Sequence, residues 1–153
     1  MTGRLETFTD ILDFAMEREV EAEAFYRALS LQAQATSMRE ILEEFAEEEH
    51  MHWEKLEKIK QGQFHMLDGN TPIPSIHIAE CVPEAKTGPD MDLADALIIA
   101  MKREKAAYRF YIELAADAPN QELMDLFLAL AHEEANHKLR FEIEYDDWII
   151  DDA

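Results

Sequence analysis

The chain contains few of the residues that cross-link or interrupt a fold. Its 153 residues include one cysteine, Cys81, with four glycines and five prolines. A single cysteine excludes a disulfide within the chain and any four-cysteine iron or zinc site. Three of the glycines and four of the prolines lie between residues 62 and 89. The rest of the chain is therefore open to long, uninterrupted helices.

Basic residues and long apolar runs are also scarce. Lys and Arg together number 14 against 34 Asp and Glu, which gives a formal charge of -20. This balance argues against nucleic acid and anionic membranes as partners. No apolar run approaches the ~20 residues that cross a bilayer. The first residues turn acidic without an apolar segment, so we expect no signal peptide and a cytoplasmic protein.

The most informative motif is a Glu followed three residues later by a His. It occurs twice, as Glu49/His52 and as Glu134/His137. On a helix this spacing places both side chains on one face, one turn apart, where they can bind the same ion. The four residues are therefore candidate metal ligands.

The first motif has a competing register, because Glu47 and His50 show the same spacing on another face of the helix. Two observations favour Glu49 and His52. They complete an inward-facing series of apolar residues, which comprises Leu42, Phe45, Leu56 and Ile59. They also recur, at one constant offset, as a Glu and a His of the second motif, whereas His50 corresponds to Ala135.

The 85-residue offset extends well beyond the motif. It pairs identical residues without a gap along most of both halves, among them Asp10 with Asp95, Leu12 with Leu97, Glu19 with Glu104, Tyr26 with Tyr111, Leu29 with Leu114, and Ala46 with Ala131. Such self-similarity indicates a duplicated helical hairpin. A repeat that occurs only twice predicts two halves that pack on each other.

Apolar periodicity predicts four helices in a single domain spanning residues 1–153. The expected boundaries are about 9–35 for the first helix, 37–61 for the second, 90–118 for the third and 120–147 for the fourth, with a long crossover over about 62–89. Thr7 or Thr9 is the expected cap of the first helix, and a capping box at Ser37 is expected to open the second. The predicted fold is all-α, a four-helix bundle made of two pseudo-repeated hairpins.

The crossover contains His65, His77 and Cys81. A lone histidine in a loop is far more often solvated than bound to metal, and a lone cysteine next to apolar residues is usually a packed, inert thiol. We therefore assign no chemistry to this segment.

The first and third predicted helices lack the Glu-x-x-His motif, but one glutamate interrupts the apolar face of each. These residues are Glu19 in the first helix and Glu104 in the third. A Glu from each of two helices and a Glu-x-x-His from each of the other two form the carboxylate-bridged dinuclear iron or manganese sites of ferritin-like bundles. Two divalent ions balance four carboxylates, and neutral imidazoles complete the coordination. The predicted metal ligands, which are also the predicted catalytic residues, are Glu19, Glu49, His52, Glu104, Glu134 and His137.

Tyr26 and Tyr111 follow Glu19 and Glu104 by seven residues, two turns along the same face. One interpretation is that both are ordinary core aromatic residues. The other is that their hydroxyl groups donate hydrogen bonds to carboxylates that bind metal.

These motifs resemble the rubrerythrin family of the ferritin-like superfamily, in a form reduced to the di-iron domain. The matching runs lie in all four helices, at residues 19–26, 46–52, 104–111 and 131–137. The resemblance implies that the six predicted ligands bind two iron ions, with Glu49 and Glu134 as bridging carboxylates. The chain departs from the family at Ala107, where these enzymes have an additional carboxylate one turn after the third-helix ligand.

The resemblance also implies an activity and partners. The family reduces hydrogen peroxide, or oxidises ferrous iron with oxygen or peroxide. The resemblance does not extend to a rubredoxin-like domain. We therefore expect a separate donor protein, such as a rubredoxin, to supply the electrons. We further expect a homodimer, with exchange of hairpins between subunits permitted by the long crossover.

Two other interpretations remain open. One is ferritin-like iron binding, in which the same site oxidises or sequesters iron, and the other is a metal-free structural bundle. Carboxylate and imidazole ligands also accept manganese and zinc, so the ligand types alone leave the metal open.

Overall fold

The computed structural model describes residues 7–62 and 92–152, with side chains up to residue 147. Most of the predicted crossover, with His65, His77 and Cys81, lies outside the described residues. Four α-helices are present in the described ranges: α1 (Phe8–Gln32), α2 (Thr36–Lys60), α3 (Leu93–Ala116) and α4 (Gln121–Asp152). None of them combines the length and apolarity that a membrane span requires.

Helices α1 and α3 begin at side-chain caps. The Thr7 hydroxyl accepts a hydrogen bond from the Asp10 backbone N–H at 3.2 Å, and the Asp10 carboxylate accepts one from the Thr7 N–H at 3.2 Å. The Asp92 carboxylate accepts from the Asp95 N–H at 2.8 Å. The offset that relates the two motifs also relates Thr7 to Asp92 and Asp10 to Asp95. The repeat therefore extends to the N-caps of α1 and α3.

A three-residue connection joins α1 to α2. Helix α1 ends at Gln32, three residues before the predicted end, and α2 starts at Thr36. The capping box predicted at Ser37 is wrong, because Ala35 is the N-cap and no side chain caps the helix. The short connection places Ser37 inside the first turn of α2. Arg39 instead spans the turn, since its guanidinium donates to the Ala33 carbonyl at 3.1 Å.

Helices α1 and α2 form an antiparallel hairpin, which we call the first hairpin. Lys60 near the end of α2 contacts Asp13 near the start of α1 at 2.6 Å, and His50 contacts Glu23 at 3.2 Å. These pairs are exposed or half-exposed, so each contributes at most about 1 kcal/mol. Burial of apolar side chains stabilises the hairpin more. The buried set includes Ile11, Leu12, Ala15, Tyr26 and Leu29 of α1 and Leu42, Phe45, Ala46, Leu56 and Ile59 of α2.

Helices α3 and α4 form the second hairpin, joined by residues 117–120. The Asn120 side chain accepts a hydrogen bond from the Leu123 N–H at 2.9 Å and so caps α4 where the sequence predicts a helix start. The backbone of α4 continues to Asp152, beyond the predicted end at residue 147. The buried apolar set includes Leu97, Ala100, Phe110, Tyr111 and Leu114 of α3 and Leu123, Phe127, Leu130, Ala131 and Phe141 of α4.

Candidate metal centre

A buried carboxylate interrupts the apolar stripe of both α1 and α3. Glu19 follows Leu12 and Ala15 on the buried face of α1 and is 3% exposed, and Glu104 occupies the repeat-related position of α3 and is 1% exposed. Burying an ionised carboxylate costs several kcal/mol unless a cation or hydrogen bonds compensate the charge. The two positions therefore require a specific explanation.

The face of α2 that is buried is the one that carries Glu49 and His52. Both residues are 1% exposed. The Glu47 side chain is 68% exposed, and that of His50 is 44% exposed and contacts Glu23 and Glu54. These exposures confirm the predicted orientation of the helix and place the competing Glu47/His50 pair on the solvent side.

Within the first hairpin, two carboxylates face one imidazole. The Nδ1 atom of His52 lies 3.6 Å from an oxygen of Glu19 and 3.8 Å from an oxygen of Glu49. Each of the three side chains offers a ligand atom, and these atoms lie within 4.8 Å of one another. We call Glu19, Glu49 and His52 the first triad.

The second hairpin repeats this arrangement. The Nδ1 atom of His137 lies 3.6 Å from an oxygen of Glu104 and 3.9 Å from an oxygen of Glu134, and all three residues are buried. We call Glu104, Glu134 and His137 the second triad. Its two distances nearly equal the 3.6 Å and 3.8 Å of the first triad. The duplication therefore preserves the geometry of the polar groups as well as their identity.

The spacing within each triad fits a bound divalent cation. Carboxylate oxygen and imidazole nitrogen bind zinc at about 2.0–2.2 Å, so two ligand atoms of one ion lie no more than about 4.4 Å apart. The nitrogen-to-oxygen distances of 3.6–3.9 Å fall inside this limit. Carboxylate and imidazole together suit iron, manganese and zinc. A cation would also balance the carboxylate charge that burial makes costly.

Tyr26 and Tyr111 are 0% and 2% exposed, which places both predicted aromatic residues in the interior. The Tyr26 ring packs edge-on against Phe45, with 6.4 Å between ring centroids, and the Tyr111 ring packs edge-on against Phe110 at 5.5 Å. Edge-on packing of this kind is typical of aromatic residues in a protein core. A role in orienting ligand carboxylates stays a prediction.

The six predicted ligands account for the candidate metal ligands in the described part of the chain. Over residues 7–62 and 92–147, every group of three or more His, Cys, Asp and Glu side chains whose ligand atoms lie within 4.8 Å of one another is drawn from the two triads. Within these ranges, such groups add no candidate ligand to the six that the sequence predicts. That these six side chains bind metal stays a prediction.

Two solved structures are similar to this chain over most of its length. A Thermotoga maritima protein classed as a ferritin-like diiron-carboxylate protein superposes with a TM-score of 0.77 at 22% identity, covering 92% of this chain and 95% of that one. A hypothetical protein from Pyrococcus furiosus superposes with a TM-score of 0.72 at 26% identity, covering 92% and 89%. These likenesses confirm the all-α, ferritin-like four-helix fold.

Sequence comparison identifies the family. No curated protein matches the chain. The family model for rubrerythrin matches residues 10–145, a range that contains both triads and most of all four helices. The chain therefore belongs to the rubrerythrin family.

Proposed function

We propose that the protein is a di-iron oxidoreductase that reduces hydrogen peroxide, with each triad supplying half of the ligands of one dinuclear centre. The observation that carries this proposal is the presence of two buried triads with matching distances at repeat-related positions. Membership of the rubrerythrin family and a fold shared with ferritin-like proteins support it.

The proposed ligand set explains how the energetic cost of burying four glutamates is offset. Four ionised carboxylates carry a charge of -4, and two divalent ions balance it. The set is neutral only when loaded, because neutral imidazoles add no charge. In this proposal Glu19, Glu49, Glu104, Glu134, His52 and His137 would together hold the two ions. Metal loading would therefore stabilise the fold as well as provide reactivity.

Two ferrous ions, when bound, supply the two electrons that cleave the O–O bond of peroxide, which leaves as two waters after taking up two protons. The protein's own residues set the conditions for this reaction. The four carboxylates would balance the positive charge of the ions, and the imidazoles of His52 and His137 would complete their coordination. Burial of all six side chains excludes bulk water. A separate electron carrier must then return the two electrons.

Metal content provides the first test. Metal-free protein incubated with ferrous ion under anaerobic conditions and then desalted should retain two ions per chain, measured by elemental analysis. Glu49→Ala and Glu134→Ala should each reduce this content to less than one ion. Glu47→Ala is the matched control, because Glu47 lies on the exposed side of the same helix.

Stopped-flow spectroscopy tests the activity itself. Ferrous-loaded protein mixed with peroxide should be oxidised much faster than the same concentration of free ferrous ion. Equal rates would overturn the proposal even if two ions are bound. Faster oxidation by oxygen than by peroxide, together with a large closed assembly in sedimentation, would favour iron oxidation and storage instead.

A further inference from the structure

The second hairpin carries a surface groove of about 510 Å³ between α3 and α4. Basic and apolar side chains dominate its lining, which consists of Lys105, Tyr108, Arg109, Ala135, Lys138, Leu139 and Glu142. We call it the basic groove. It lies outside the two triads, so the proposed metal chemistry does not use its residues.

The basic groove departs from the charge of the rest of the molecule. It gathers three of the chain's 14 basic residues around one carboxylate, although the chain as a whole carries -20. Lys138 pairs with Glu142 along α4. Within the described ranges, no ion pair involves Lys105 or Arg109, and both are exposed. Their charges therefore face solvent.

Apolar surface accompanies these charges. Tyr108 is 39% exposed and Leu139 is 56% exposed, so both can offer apolar contact area to a partner. Tyrosine and arginine are enriched at the centres of protein interfaces, where they combine large contact area with hydrogen bonding. Tyr108 and Arg109 are therefore residue types that protein interfaces favour.

The internal repeat supplies a comparison within the same chain. The repeat-related positions of the first hairpin carry three carboxylates and no Lys or Arg, namely Val20, Glu23, Ala24, His50, Trp53, Glu54 and Glu57. There, Glu23 and Glu54 both contact His50. The two hairpins thus keep the same buried triad but differ in surface charge at this position. At these repeat-related positions, only the second hairpin carries the basic side chains.

The basic groove also lies close to the second triad along the chain. Lys105, Ala135 and Lys138 directly follow Glu104, Glu134 and His137, respectively. The triad faces the interior and the groove faces solvent on the same turns of α3 and α4. A helix with its side chains is about 10 Å across, so about one helix diameter separates the groove from the triad.

From this placement we infer that the basic groove docks a small acidic one-electron carrier protein, which reduces the metal centre through the second hairpin. This inference rests on the proposed function, because a peroxide-reducing metal centre is what gives the docked carrier its role. A chain of charge -20 repels an acidic protein over most of its surface. Complementary charge at one site then fixes orientation and raises the association rate. Tyr108 and Leu139 supply the apolar contact.

The test uses a reduced rubredoxin of net negative charge as the probe. The rate of its oxidation by peroxide is measured with iron-loaded protein, at low salt and at high salt. The double variant Lys105→Gln/Arg109→Gln should lower this rate about tenfold at low salt, and the difference should shrink at high salt because ions screen exposed charges. Lys58→Gln/Lys60→Gln removes the same charge from the first hairpin and should leave the rate within about twofold.

Two further measurements separate this inference from the proposed function. Oxidation of ferrous-loaded protein by peroxide without rubredoxin should be the same in both double variants and the unmodified protein. Binding of rubredoxin to metal-free protein, followed by NMR line broadening, should weaken only in the Lys105/Arg109 variant. That binding result tests docking even if no peroxide activity exists.

Three outcomes would overturn the inference. Equal losses in the two double variants would show a general charge effect. A slower reaction with peroxide in the absence of rubredoxin would place Lys105 and Arg109 in the metal chemistry. A changed oligomeric state of the Lys105/Arg109 variant in sedimentation would assign the groove to contacts between copies of this chain.

Discussion

Replacing Glu49 with Gln should stabilise the metal-free protein and destabilise the metal-loaded one. The substitution keeps the size and most of the hydrogen-bonding capacity of a side chain that is 1% exposed. In the first triad, Glu49 and Glu19 present oxygens within 4.8 Å of each other to a single imidazole. Even a protonated His52 would balance only one of these two carboxylates. Removing one negative charge from the metal-free triad therefore relieves repulsion.

The size of the effect follows from the geometry. Two unit charges at 4.8 Å, the upper limit for the separation of these oxygens, repel by about 3.5 kcal/mol at an effective dielectric constant of about 20. Side-chain relaxation and water penetration lower this value, so we expect a gain of about 1–3 kcal/mol in the free energy of unfolding. For a chain of this size, about 1 kcal/mol shifts the melting temperature by about 2–4 °C.

Bound metal should make the unmodified protein more stable than the Glu49→Gln variant. A ligand at about 100 times its dissociation constant stabilises the native state by about 2.7 kcal/mol, and Glu49→Gln loses most of this stabilisation. Thermal unfolding of both proteins, with and without ferrous or manganous ion, measures all four values. Glu47→Gln is the control and should change neither state, since that side chain is 68% exposed. A metal-free Glu49→Gln protein that unfolds at a lower temperature than the unmodified metal-free protein would refute the argument.

Further predictions concern the triads, the caps and pH. His52→Ala should abolish metal binding measured by elemental analysis, whereas His50→Ala should leave it unchanged because that ring contacts Glu23 and Glu54 at the surface; the opposite result would mean that Glu47 and His50 are the ligands. Thr7→Ala and Asp92→Ala should each cost about 1 kcal/mol in urea unfolding of the metal-free protein, since each removes an N-cap; a cost near zero for either would show that its helix start is held by other contacts. Metal affinity measured by competition with a chelator should fall as the solution is acidified from neutral pH, because ligands must lose their protons to bind; a constant affinity would contradict carboxylate and imidazole ligation.

The buried features of this protein were largely predictable from its sequence. Glu49 and His52 belong to a series with the period of an α-helix, and only one face of α2 satisfies both that series and the internal repeat. Burial of a glutamate is costly, so four glutamates at equivalent inward positions indicated a shared purpose. The repeat therefore showed which face of α2 is buried, which the sequence of that helix alone leaves ambiguous.

Helix ends and surface charge were harder to predict. The end of α1 at Gln32 depends on the turn in which Arg39 donates to Ala33, a contact that periodicity does not register. The basic groove was missed because Lys105, Arg109 and Lys138 are scattered on two helices and gather only when these helices pair. A comparison of charge between repeat-related positions would have indicated it. Ligand types that suit several ions leave the choice of metal to elemental analysis.

The short turns inside each hairpin bear on the order in which the protein folds. Glu19 and His52 meet across a connection of only three residues, and Glu104 and His137 meet across one of four. The two helices of a hairpin pair early in folding, because little chain entropy is lost in closing a short connection. The first triad can therefore assemble while the second hairpin is still being synthesised, and hydrogen exchange of a chain stalled once α1 and α2 have both left the ribosome should already show protection in these two helices.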